Sequence, residues 1–118
     1  EQLSFRLPSS IAHSMLFCTD QLNVTLFQLG LTCFYLFLNT LSYHNRDTCI
    51  GLIHLNRYRP EIVSMMGMFV NILPCRLRND DLNQISFIEL LRRVQQTFLE
   101  NVQYAQLPYD ELINLYRR

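Results

Sequence analysis

Three histidines are the side chains of this sequence best suited to acid–base chemistry: His13, His44 and His54. Imidazole is the most common general base near neutral pH. His44 and Asp47 are three residues apart in a polar segment after a predicted helix, and we interpret them as solvated turn residues. His54 lies in an apolar run of strand length, where a lone histidine is usually a core or cavity-wall residue. We therefore expect no catalytic residue within this chain.

Histidine and cysteine spacing also predicts no metal site. No Glu or Cys stands at ligand spacing beside any of the histidines. The four cysteines are widely spaced, contain no C-x-x-C pair and lie in apolar segments, which predicts buried, reduced thiols: Cys18, Cys33, Cys49 and Cys75. Because no cysteine has the basic neighbours that activate a thiolate, and no G-x-S-x-G occurs, we do not expect covalent catalysis.

Three polar residues stand within or beside predicted strands and are the candidate site residues: Arg57, Asn71 and Arg76. A buried amide or guanidinium must find hydrogen-bond partners, so each is either a structural clamp or a group that lines a substrate tunnel. Strict alternation along a strand sends Asn71 and Arg76 to opposite faces unless Pro74 bends the chain. Arg57 could pair with Glu61 or line a loop. We favour the structural alternative for all three residues.

Composition excludes several classes of function. Hydrophobic residues make up 49% of the 118 residues and charged residues 17%, which predicts one packed globular unit. The formal net charge is zero, so we expect neither nucleic acid nor a membrane as a partner. All ten basic residues are arginines, which excludes a Schiff-base or phosphate-loop lysine. The chain opens without a signal-peptide pattern, and we expect an excised piece of a cytoplasmic protein.

Helical patterns begin at recognisable start signals. Residues 10–19 carry apolar side chains at helical spacing, and an Asp-Gln-Leu-Asn turn follows. Thr25 and Gln28 form a capping box before a helix that is apolar almost all round to about Leu41, which predicts a central position in the core. Ser86 and Glu89 open a long amphipathic helix. A last helix begins at Pro108.

Strand patterns alternate with these helices. Residues 3–7 alternate apolar and polar side chains, residues 48–55 form an apolar run expected to be covered on both faces, and residues 68–77 form a third strand. Pro74 cannot donate to a ladder, so the third strand is either an edge or bulged there. A short helix between residues 60 and 65 separates the last two strands. This order predicts a layered α/β unit.

One segment resembles a known family. Residues 50–76, IGLIHLNRYRPEIVSMMGMFVNILPCR, are similar to a stretch of nonribosomal peptide synthetase condensation domains that reads I-G-x-x-x-x-N/G-R, a short helix, and G-x-F-V-N-T-L-x-x-R. The matching positions are Gly51, Asn56, Arg57, Pro60, Glu61, Gly67, Phe69, Val70, Asn71, Leu73 and Arg76. Residues 23–38 resemble the family's hydrophobic helix, and residues 86–112 resemble the helix that leads to its H-Q-x-x-P-F-E segment.

The resemblance implies a two-layer, chloramphenicol-acetyltransferase-like half-domain with a mixed sheet packed against helices. Residues 1–118 would be the C-terminal subdomain of a condensation domain, without the N-terminal catalytic subdomain that carries H-H-x-x-x-D-G. The family forms an amide bond between a donor thioester and an acceptor amine, each presented on the phosphopantetheine arm of a peptidyl carrier protein, beside an adenylation domain. No cofactor would bind this chain directly, and alone it should be inactive.

Departures from the family pattern leave alternatives open. Ile72 replaces the threonine after the conserved asparagine, Ile53 replaces a proline, and Tyr104 and Ala105 replace the His-Gln pair. A relative that epimerises, forms esters or forms heterocycles shares the implied fold. A non-catalytic carrier-docking or degenerate module is a second alternative. Apolar surface left where the other subdomain belongs predicts that the isolated chain associates with itself.

Overall fold

The part of the chain that the structure describes contains five helices and one strand pair. The computed structural model describes residue 4 and residues 6–42, 47–78 and 84–117. The elements in chain order are α1 (Ser9–Leu22), α2 (Leu26–Leu41), β1 (Asp47–His54), α3 (Pro60–Val63), β2 (Asn71–Arg78), α4 (Phe87–Val102) and α5 (Tyr109–Tyr116). The predicted α/β class is confirmed, because helices pack against a small sheet.

The connection between α1 and α2 is set by two side chains that favour a helix boundary. Asn23 ends α1 in the left-handed conformation (φ 50°, ψ 52°), which asparagine tolerates better than most residues. Thr25 then starts α2 through the predicted capping box: its hydroxyl accepts from the Gln28 N–H (3.1 Å) and its N–H donates to Gln28 Oε1 (2.9 Å). Helix α1 therefore extends to Leu22 rather than ending near residue 19. The connection to α2 is shorter than the expected turn and consists of residues 23–25.

Strands β1 and β2 pair antiparallel in an unbroken register from Asp47↔Arg78 to His54↔Asn71. Pro74 pairs opposite Gly51 without a bulge. Of the two alternatives for this proline, a bulge or an edge position, the edge position remains. The carbonyl of Pro74 accepts from Asn101 Nδ2 (3.2 Å). Because the N and C=O of one residue in an antiparallel strand point to the same side, the missing N–H of Pro74 faces away from β1 and interrupts no ladder bond.

Helices α2 and α4 cover one face of this strand pair. The Ser86 hydroxyl accepts from the Glu89 N–H (3.2 Å) at the start of α4, while the Glu89 carboxylate pairs with Arg93 (3.1 Å) instead of completing a capping box. The buried core joins these two helices to the strand pair and consists of Leu31, Tyr35, Leu52, Leu73, Cys75, Leu77, Leu90, Val94 and Ala105. A smaller cluster of Val24, Leu29 and Leu91 links α1 to the same helices.

Some of the predicted strand boundaries and strand packing are corrected. The described residues of segment 3–7, which are Ser4, Arg6 and Leu7, form no strand, and Leu3 and Phe5 lie outside the described residues. The sheet of the described residues is therefore one antiparallel pair rather than a mixed sheet. Strand β2 begins at Asn71, not residue 68, and α3 ends at Val63. The face of β1 that carries Cys49, Gly51 and Ile53 is exposed, so β1 is covered on one face only.

Helix α2 also differs from its predicted central position. Its buried side is formed by Gln28, Leu29, Leu31, Thr32, Tyr35 and Asn39, whereas Phe27, Phe34 and Phe37 on other sides are exposed. Two of the four thiols expected to be buried, Cys33 and Cys49, are likewise exposed. All four cysteines are free. Apolar composition alone does not bury a side chain when no further layer within the described residues covers it.

No single helix among the described residues is long and apolar enough to span a bilayer; α1 and α2 pass the length and composition test only as a pair bent by 109°.

Candidate functional site

Arg57 is the centre of the most extensive polar arrangement near the predicted site. It follows β1 and donates hydrogen bonds to the carbonyls of Ile62, Val63 (3.1 Å), Met65 (2.8 Å) and Gly67 (3.3 Å). Its guanidinium also lies over the ring of Phe69, 4.8 Å from the centroid. These contacts hold residues 64–70, here called the methionine loop. Arg57 could instead have paired with Glu61, but none of the hydrogen bonds that Arg57 makes within the described residues involves Glu61.

Gly67 permits this arrangement because its φ is +157°, a conformation that side chains disfavour. A Cβ atom there would lie 3.1 Å from the ring of Phe69. The residue before Arg57 is also unusual, since Asn56 has φ 54° and its N–H donates to His54 Nδ1 (3.1 Å). Among the described residues, Asn56 Oδ1 is the one buried side-chain polar atom without a hydrogen-bond partner.

Asn71 lies on the inner face of β2, opposite His54 on β1. Its Nδ2 donates to the carbonyls of Ala105 (2.8 Å) and Leu107 (2.7 Å), in the segment between α4 and α5. The side chain thus ties that segment to the sheet and satisfies two carbonyls that belong to no helix ladder. These contacts support a structural clamp rather than a tunnel group.

Arg76 lies on the opposite, outer face of β2, as strict alternation predicts. Its Nε donates to both carboxylate oxygens of Asp47 (2.8 and 3.0 Å), and Nη2 donates to Oδ2 as well. Hydrogen bonds from Arg76 hold the pKa of the Asp47 carboxyl below its usual value. The two side chains are half exposed (50% and 43%), so the pair fixes the strand ends without a buried charge.

The remaining titratable candidates do not converge on a reaction centre. His44 lies outside the described residues, and Asp47 belongs to β1 rather than to a turn. His13 is exposed, and its Nδ1 lies 2.7 Å from the Ser9 carbonyl on its own helix. Within the ranges that the structure describes, no group of three or more His, Cys, Asp or Glu side chains is placed to hold a metal ion.

A buried tyrosine, which sequence reasoning did not single out, links α2 to β2. The Tyr35 hydroxyl donates to the Cys75 carbonyl, and both residues are almost fully buried. Burial, followed by the nearby Cys75, raises the pKa of the Tyr35 phenol. Partial desolvation also raises the pKa of the Cys49 thiol, although the residue lies on the exposed outer face of β1. Tyr35 is the one aromatic residue on the buried side of α2, and this was the available signal, since a buried phenol usually has a hydrogen-bond partner.

The three candidate site residues do not share one cavity. Asn71 faces the core side of the sheet, Arg76 the outer side, and Arg57 the methionine loop. A cavity of about 320 Å³ does lie beside Asn71's partners, lined by Leu73, Pro74, Asn101, Tyr104, Leu107 and Leu112. Tyr104 is exposed there and Ala105 is buried in the core. The two departures from the family's His-Gln pair therefore have different environments.

Comparison with known proteins assigns the chain to a family. The model of the condensation domain family matches residues 1–118. A linear gramicidin synthase of Brevibacillus parabrevis is 33% identical over 97% of this chain, and a surfactin synthase of Bacillus subtilis is 30% identical over 97%. The phosphinothricin tripeptide synthetase PhsC of Streptomyces viridochromogenes is 33% identical over 93%.

A solved structure agrees with these sequence matches. The condensation domain of the monacolin K polyketide synthase MokA superposes with a TM-score of 0.87 at 29% identity, covering 95% of this chain and 24% of that chain. The present chain spans only 2%, 3% and 10% of the three synthetases. Because the family match covers every residue and the fold agrees, this chain belongs to the condensation domain family.

Proposed function

We propose that this chain is one part of a cytoplasmic condensation domain that forms an amide bond between a carrier-bound aminoacyl or peptidyl thioester and a carrier-bound amine. The observation that carries the proposal is the family match over all 118 residues. Three of the curated relatives, at 30–33% identity, are gramicidin, surfactin and phosphinothricin tripeptide synthases by name. Peptidyl carrier proteins, with their phosphopantetheine arms, and an adjacent adenylation domain are the partners proposed on this basis.

The described residues supply a scaffold rather than reacting groups. Arg57 and Asn71 use their hydrogen-bond donors on backbone carbonyls, and Arg76 is paired with Asp47. None of these contacts resembles a base held against a nucleophile. We therefore assign the acid–base group to a separate N-terminal subdomain with the H-H-x-x-x-D-G motif, and the scaffold role to this chain.

The experiment is a reconstitution with the longer gene product. The reading frame upstream of Glu1 is sequenced, and the complete domain is mixed with one carrier protein loaded with an aminoacyl thioester and a second loaded with the acceptor. A dipeptidyl thioester on the acceptor carrier, lost when the second histidine of the upstream motif is replaced by alanine, supports amide formation.

Other outcomes assign other functions. A change of stereochemistry at the loaded residue, an ester or a heterocycle would assign a different reaction of the same fold. An upstream frame without the motif, together with no product, would contradict catalysis and favour a non-catalytic carrier-docking module. The exposed Tyr104, in place of the family's histidine, is the observation that favours this second candidate.

A further inference from the structure

Strand β1 has an edge that points away from β2. The sheet of the described residues has two strands, so β1 has a strand partner on one side only. Gly51 lies opposite Pro74, whose nitrogen and carbonyl both face away from β1. Gly51 and Pro74 are thus a non-hydrogen-bonded pair, as are the pairs two residues away on either side. The N–H and C=O groups of Cys49, Gly51 and Ile53 therefore point outward, where no described strand meets them.

The far edge of β2 is poorly suited to a further strand. Pro74 has no N–H to donate there, and its carbonyl already accepts from Asn101 Nδ2 (3.2 Å). Arg76 and Arg78 add two charged side chains to the same strand. Proline and charged side chains are the features with which natural sheets prevent further pairing at an edge. Strand β2 therefore has the features of an outermost strand.

The free edge of β1 lacks these protective features. Residues 48–53 contain neither a proline nor a charged side chain. Unpaired backbone groups in an uncharged strand are a template for pairing with another strand. A typical sheet has about 4–6 strands, whereas the described sheet has two. The two edges of this small sheet therefore differ, and a third strand fits against β1 rather than β2.

We propose that a strand from the remainder of the condensation domain pairs with the free edge of β1, which makes β1 an interior strand and leaves β2 outermost. The remainder of the domain is the source because this chain keeps the fold of a solved condensation domain while covering only 24% of that chain. The inference rests on membership of the family and not on the proposed reaction. Since the tests below need no carrier protein or substrate, the inference and amide formation can fail separately.

Hydrogen exchange of single amides in the complete domain is the first test. The N–H groups of Cys49, Gly51 and Ile53 should exchange at least about a hundredfold more slowly than in an unstructured peptide, and the N–H of Ile72 should stay fast. Fast exchange at all three β1 amides would overturn the proposal, and a slow Ile72 in their place would put the strand on β2. Protection that appears only as the protein concentration rises would assign the edge to a second copy and contradict the proposal.

Two proline variants of the complete domain then compare the two edges. Ile53 and Ile72 lie opposite each other, and both N–H groups point away from the ladder that joins β1 to β2. Ile53→Pro removes a donor to the proposed strand, so exchange at Gly51 should accelerate at least about tenfold. Ile72→Pro, the matched control, should leave exchange at Gly51 unchanged. Slow exchange at Ile50 and Leu52 checks that the β1–β2 pair remains, and equal exchange at Gly51 in the two variants would overturn the interior position of β1.

Discussion

The Tyr35 hydroxyl on α2 donates a hydrogen bond to the backbone carbonyl of Cys75 on β2, forty positions away in the sequence. The phenol is 1% exposed and the thiol-bearing residue 0%. This bond joins the helix layer to the sheet layer at the centre of the core. It is therefore a sensitive position at which to test the packing.

Tyr35→Phe should lower the free energy of unfolding by about 1 kcal/mol. The substitution keeps the ring and its packing but removes the donor to the Cys75 carbonyl. Urea denaturation followed by circular dichroism measures the difference. Tyr104→Phe, at an exposed position, is the matched control and should have no measurable effect; equal stability of both variants would contradict a structural role for the Tyr35 bond.

Alkaline pH should unfold the chain in part through Tyr35. Because burial raises the pKa of Tyr35 in the folded state, its contribution to stability is complete below the unfolded tyrosine pKa of about 10 and is lost as pH rises through the folded value. The unfolding free energy of the parent chain should fall above about pH 10 more steeply than that of Tyr35→Phe. Parallel pH profiles for the two chains would argue against this linkage.

Asn71→Ala should destabilise the chain by about 2 kcal/mol, because two carbonyls lose their donor. Asn101→Ala removes a single bond, to the Pro74 carbonyl, and should cost about 1 kcal/mol. Denaturant titration of both variants measures the ratio of their losses in unfolding free energy. If Asn71 instead contacts substrate in a complete domain, its replacement would change the reaction rate while leaving stability near that of the parent.

Arg57→Lys should loosen the methionine loop without unfolding the core. A lysine amine cannot reproduce the planar fork that reaches the carbonyls of Val63, Met65 and Gly67 at once. Hydrogen exchange of amides in residues 62–69 should accelerate at least tenfold, whereas exchange in β2 stays unchanged. Arg59→Lys, beside Tyr58, provides the control. Unchanged exchange in the loop would show that the clamp does not limit its motion.

Asp47→Asn should make the free energy of unfolding fall less steeply as the pH is lowered into the acid range. The pKa of Asp47 is lowered in the folded chain, so the stability it contributes is present above the unfolded value of about 3.9 and is lost as pH falls through the folded value. The Arg76 pair is exposed, and its effect at neutral pH should be smaller than that of Tyr35→Phe and should shrink in high salt. An acid limb identical to that of the parent would contradict the prediction.

Local signals in the sequence determined several element boundaries and the family. Thr25 with Gln28, Ser86, and the alternating Asn71 and Arg76 act over a few residues, so the starts of α2 and α4 and the two faces of β2 followed from spacing. The condensation-domain resemblance rested on residues 50–76 and is confirmed by the match over the whole chain. These features depend on backbone geometry and nearest neighbours, which a sequence displays directly.

The tertiary structure alone decided which apolar faces are covered and which partners the polar residues find. Phe34, Ile53 and Met66 are as apolar as the core residues, yet each is exposed because none of the described elements forms a further layer over them. Arg57 binds carbonyls in the methionine loop rather than Glu61, and Tyr35 binds Cys75 across forty positions. Such contacts join segments that are distant in sequence. Hydrophobicity and spacing describe each segment by itself and do not indicate which distant segment packs against it.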